Sequence, residues 1–133
     1  MPWEGWPFER VALLFTGLAF FMMWIQVGLL HWGGAFHRWQ MWIPVLYSPV
    51  LGIVGLGLTA TLTRETVTAG FAFFGIGLLV GTAGTYYHLK TIGRYVLGYN
   101  VRNFIAGPPS MLPMMYAAMS AFGVLALYWA AYL

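Results

Sequence analysis

The 133-residue chain is 61% hydrophobic and 7% charged, with a net charge of +3 and no cysteine. A water-soluble domain carries about a quarter charged residues, so this composition excludes an ordinary soluble fold and calls for lipid as the solvent. The lack of cysteine excludes disulfides, thiolate metal sites, iron–sulfur ligation and cysteine nucleophiles, and a charge set by a few loop residues is no footprint of nucleic-acid binding.

Four runs are free of Asp, Glu, Lys and Arg: residues 11–30, 41–63, 67–89 and 111–133. Each is close to the roughly 20 residues that cross a hydrocarbon core as a helix. The runs are continuous rather than alternating, which is not the pattern of a membrane β-barrel. The expectation is an all-α integral membrane protein with one four-helix transmembrane domain over residues 1–133, short loops, and a short interfacial basic segment between the third and fourth helices.

The first run follows MPWEGWPFER, where Glu4 and Glu9 face only Arg10. It is longer than the apolar stretch of a signal peptide, about 7–15 residues, so it is read as a retained span. Within it Trp24 is expected to fill packing space and Gln26 to hydrogen-bond to another helix. The remaining tryptophans, Trp3, Trp6, Trp32, Trp39, Trp42 and Trp129, fall near span ends, where an indole keeps its ring among acyl chains and its N–H at the headgroups.

The second run carries a small face, Ser48, Gly52, Gly55 and Thr59, with Pro44 and Pro49 expected to bend one half of the helix. In the third, Gly70, Gly77, Gly81, Gly84 and His88 fall in one stripe at about 100° per residue. Such a stripe admits a second backbone at close range, and the small face of the second run is its expected partner. Ile92, Tyr95, Val96 and Tyr99 continue at helical spacing, so the third span is expected to run on into a short interfacial segment before Gly107-Pro108-Pro109 breaks it. Ala117 and Ala121 give the fourth run a small-xxx-small pair.

Chemistry-bearing residues are few. His31 and His88 end the first and third spans and so reach the same membrane face, with His37 in the loop beside them. Neutral imidazole is a strong donor, so His31 and His88 are candidate ligands of a b-type haem, with Arg94 or Lys90 meeting a propionate and Gly84 leaving room for the ring edge. An ordinary interfacial role for the histidines is the first reading, the haem the second, and a simple metal site the third. Lys90, Arg94 and Arg102 are candidate contacts for membrane lipids or for a partner protein. The acidic residues Glu4, Glu9 and Glu65 belong to the opposite face, and no ionisable residue lies mid-span, which counts against coupled transport and voltage sensing.

The expected function is therefore that of a small non-catalytic subunit or assembly partner of a larger membrane complex, of the respiratory or photosynthetic kind, in contact with lipids and other membrane subunits. A haem-bearing electron-transfer or quinone-interacting subunit is the second expectation, and a homo-oligomeric channel the third. The side holding the two inter-span loops 31–40 and 90–110 has four cations, Arg38, Lys90, Arg94 and Arg102, against Arg10 and Arg64 on the other. Short loops rich in Lys and Arg stay cytoplasmic, so a bacterial-type inner or plasma membrane with both termini outside is expected. A reporter fused after Leu133 is expected to be active only on the outer side of that membrane; activity in the cytoplasm would refute this orientation.

Overall fold

The computed structural model describes residues 2–94 and 96–133. Among them the regular structure is all helical: α1 (Phe8–Gly33), a 3₁₀ turn (Trp39–Met41), α2 (Trp42–Ala60), α3 (Arg64–Arg94), α4 (Val101–Ala106) and α5 (Met111–Tyr132). The four longer helices, the second counted from the 3₁₀ turn as Trp39–Ala60, are each long and apolar enough to cross a membrane. Their outward positions are as apolar as their inward ones: Phe15, Met22 and Leu29 on α1, Ile53 on α2, Leu79 on α3 and Leu125 on α5 are all exposed. Helices that are hydrophobic all round suit a lipid surround.

Packing follows chain order around a square. α1 lies mainly against α2 and α3 mainly against α5, while α1–α5 and α2–α3 contacts close the ring. α1 and α3 are thus diagonal and parallel, and each antiparallel hairpin forms one side. One end of the bundle holds the N-terminal segment, the 61–63 turn and the end of α5; the other, the loop end, holds the 34–41 and 96–110 connections.

The partner of each glycine differs from the expectation. A Cβ on Gly55 would lie 2.6 Å from the Gly17 Cα, and one on Gly17 would lie 3.0 Å from the Gly52 carbonyl oxygen, so the small face of α2 meets α1, with Phe21 seated over Gly52. The α3 stripe meets α5 instead: a Cβ on Gly81 would lie 2.4 Å from the Ala117 nitrogen, and Gly77 faces Ser120. Gly70 accepts Leu127 and Leu58, and Gly84 faces Pro113. Spacing within one helix defines a face without naming what covers it.

At mid-height Phe20, Phe74 and Tyr116 are fully or almost fully buried. The Phe20 ring meets Tyr116 edge-on at 5.1 Å and Phe74 at 6.4 Å between centroids, so three helices join at one aromatic cluster. The fourth enters through Ser48, which donates its hydroxyl proton to the Pro44 carbonyl and lies 3.4 Å from the Tyr116 phenol oxygen. Buried hydroxyls elsewhere bond within their own helix, Thr16 to Ala12, Thr59 to Gly55 and Ser120 to Tyr116. Among the described residues no buried side-chain polar atom lacks a partner.

Other sequence expectations are also adjusted. Pro44 lies in the first turn of α2, whose amides have no intrahelical acceptor in any case, and only Pro49 is inside the helix. α3 runs on past residue 89 to Arg94; Leu97 and Gly98 then take left-handed φ values of 67° and 124° and turn the chain before Asn100 caps α4, which closes at its C-cap Gly107, by accepting from the Asn103 amide. Tyr95 lies outside the described residues. Gln26 and Trp24 are both exposed, so neither serves the interior of the bundle.

At the opposite end, the Trp3 indole donates to the Leu58 carbonyl at 2.8 Å, and Arg10 donates to Thr59 and Gly5 carbonyls. Arg10 also lies over the Trp6 ring, 4.2 Å from its centroid. α3 begins with reciprocal caps between Thr63 and Thr66, each backbone N–H donating to the other's hydroxyl. Replacing Gly81 by Val is expected to cost about 1–3 kcal/mol by overpacking, whereas Gly75, with nothing within 4 Å of its notional Cβ, should tolerate Ala with no loss or a gain of about 0.5–1 kcal/mol. Thermal unfolding in detergent followed by circular dichroism checks the contrast.

Candidate functional site at the loop end of the bundle

The loop end collects the three histidines and the basic side chains. α1 closes with the Gly34 amide donating to Leu30 and the Phe36 amide to His31. Phe36 then stacks on Trp42 at 3.9 Å, which folds the 34–41 connection back over the helix end. This brings the Met41 carbonyl, immediately before α2, to the His31 ring, and His31 Nδ1–H donates to it at 2.6 Å.

The second hairpin uses the same device. His88, near the end of α3, donates its Nδ1–H to the Pro109 carbonyl at 2.9 Å, just ahead of α5. His37 donates from Nδ1 to the Gly34 carbonyl at 2.9 Å within its own loop. A ring nitrogen that faces a carbonyl must carry the proton, so in the neutral imidazole each Nε2 is left with its lone pair.

His31 is half-buried, with its ring held against the start of α2 by the bond to the Met41 carbonyl. It therefore faces the bundle end rather than lipid, a point that its stripe with Phe20, Trp24 and Val27 leaves open in sequence. Two features bear on cofactor binding. The notch at Gly84 is taken by Pro113, 3.0 Å from a notional Cβ, so it offers no room for a porphyrin edge. Among the described residues no three His, Cys, Asp or Glu side chains converge as a metal site.

The basic residues separate into two groups. Lys90 and Arg94 line an open groove of about 380 Å³ together with Tyr86, Leu89 and Tyr99. Arg102 lies exposed on α4 and is not part of that lining. Asn103 on α4 holds the turn by donating to the Gly98 carbonyl at 2.9 Å. Tyr86 was not among the residues singled out in sequence, although the spacing of Tyr86, Lys90 and Arg94 by four places them on one helix face. A second open groove, of about 470 Å³, lies at the opposite end between Pro2, Trp3, Arg10 and the 60–63 turn.

Comparison with known protein families, with curated proteins and with solved structures finds no match. The function therefore has to be argued from the geometry.

Proposed function

We propose that this chain is a small membrane-embedded subunit or assembly partner of a larger membrane complex, with both termini on the outer face. The observation that carries the reading is the contrast between a closed interior and an amide side chain on the outside. The core is filled by aromatic rings and glycine seams, its hydroxyls are spent on local carbonyls or, in the Ser48–Tyr116 pair, on each other, and no polar path or reaction chamber runs through the described residues. Gln26 sits instead in the exposed apolar stripe of Phe15, Leu18, Met22 and Leu29 on α1. An amide facing hydrocarbon without a partner costs a few kcal/mol, roughly 2–7, and a neighbouring transmembrane helix removes that cost by hydrogen-bonding to it. A photo-crosslinking residue at position 26 is expected to capture a different membrane polypeptide in native membranes. Capture of this chain alone would favour the homo-oligomeric channel, and no capture would leave the subunit reading without its support.

A second reading is favoured by the histidine geometry. His31 and His88 stand on parallel diagonal helices at the same end, each oriented by a carbonyl at Nδ1 with Nε2 left as a donor, which is how ligating imidazoles are held. They could ligate a b-type haem and make the chain an electron-transfer subunit, with Arg94 or Lys90 near a propionate. Because Pro113 occupies the Gly84 notch, the ring would have to enter elsewhere between the imidazoles. Protein purified after expression with ample haem is expected, on this reading, to show a Soret band that His88→Ala abolishes. Absence of the band, or its persistence in the variant, returns both histidines to a purely tethering role.

A further inference from the structure

The open groove at the end of α3 has a construction that the role of a membrane subunit does not use. Its floor is one face of α3, where Tyr86, Lys90 and Arg94 follow one another at four-residue spacing, with Leu89 beside them. Its far wall is Tyr99, which returns from beyond the helix. The left-handed backbone at Leu97 and Gly98 reverses the chain, and the Tyr99 phenol then settles over Gly93, its oxygen 2.5 Å from where a Cβ would be. Any larger residue at 93 would push this wall away.

The groove's electrostatics favour an anion. A helix C-terminus ordinarily presents unpaired carbonyls and a partial negative charge. Here two late carbonyls are taken: the Val96 amide donates to Thr91 at 3.1 Å and the Gly98 amide to Ile92 at 3.3 Å. Lys90 lies 5.8 Å from the centroid of the Tyr86 ring, which holds the ammonium along one wall. Arg94 is exposed at the rim, and its planar fork suits a phosphate. Both phenols are largely exposed and are further hydrogen-bond donors. The exposed Leu79 and Ala83 lie on the same helix towards mid-bundle, and the exposed Thr82 between them turns its hydroxyl onto the Leu78 carbonyl, so largely apolar surface continues in the direction an acyl chain would take.

From this we infer that the groove between Tyr86, Lys90, Arg94 and Tyr99 binds the phosphate headgroup of an anionic phospholipid, with the acyl chains running along α3. The inference rests on the reading of the four helices as bilayer-spanning, because only then does Lys90 stand at headgroup depth. A free inorganic phosphate would share the polar contacts without the apolar continuation.

The full chain in a neutral detergent is titrated with phosphatidylglycerol or with phosphatidylcholine while its thermal midpoint is followed. Phosphatidylglycerol is expected to raise the midpoint more, and its apparent affinity to fall about fivefold for each cation removed in Lys90→Gln and Arg94→Gln. Gly93→Leu, which displaces Tyr99 and leaves both cations in place, is expected to weaken the same response. Arg64→Gln, at the other end of α3, should leave it unchanged. Equal responses to the two lipids, or a full response from the Lys90→Gln/Arg94→Gln variant, would overturn the inference. Complete competition by millimolar inorganic phosphate would reassign the groove to a soluble anion. Whether the chain leaves membranes only with detergent tests the bilayer reading independently of the groove.

Discussion

The distance between helix backbones at Gly17–Gly55 and Gly81–Ala117 governs most of what else is seen. In lipid, hydrophobicity does not drive helices together, and association depends on close van der Waals contact and on the few polar bonds available. Missing Cβ atoms let α1 approach α2 and α3 approach α5 closely enough for their ends to be joined by short connections. That closeness in turn puts the carbonyl ahead of each returning helix within reach of one imidazole. The aromatic cluster of Phe20, Phe74 and Tyr116 then fills the space that two such thin hairpins leave between them.

The interior is chemically quiet for a related reason. A hydroxyl buried in a helix can return its proton to the carbonyl four residues earlier, and Thr16, Thr59 and Ser120 do so. Each is thereby satisfied without water and without a partner from another helix, so the core gains no network along which protons or ions could be relayed. Polar chemistry is left to the two ends of the bundle and to Gln26 on the outside.

The four long apolar helices and the sharing of one end by all three histidines were legible in sequence, because length, hydropathy and alternation of direction are properties of the chain alone. The stripe of Gly70, Gly77, Gly81 and Gly84 was also legible as a face. What covers it was not, since Ala117 and Ser120 on α5 and Gly52 and Gly55 on α2 are equally small, and only the three-dimensional arrangement distinguishes them. The continuation of α3 was legible in part: it does run on to Arg94 with a short helix after it, but the helical period of Ile92, Val96 and Tyr99 gives no hint of the left-handed turn at Leu97 and Gly98 between them. The direction of Gln26 was not legible, because a polar residue in an apolar run can face either way, and only its position relative to the buried Phe20 and Val27 shows that it points outward. The groove was half visible, its cations noted and its Tyr86 wall overlooked.

The two imidazole tethers imply a modular chain. Each hairpin carries its own seam of close backbone contact and its own bond from a histidine to the start of the second helix, and in each the returning helix has proline in its first turn followed three residues later by tyrosine, Pro44 and Tyr47 in one and Pro113 and Tyr116 in the other. The 61–63 turn that joins them contributes to neither tether and neither seam. Severing the backbone there would leave two fragments, each complete in its internal fastenings, that meet through the aromatic rings at mid-height, the seats of Leu58 and Leu51 against Gly70 and Gly77, and the hydrogen bonds Tyr47 to the Phe73 carbonyl and Ser48 to Tyr116. In architectural terms the protein is an intramolecular dimer of hairpins, and the single chain serves to keep its two halves at equal stoichiometry.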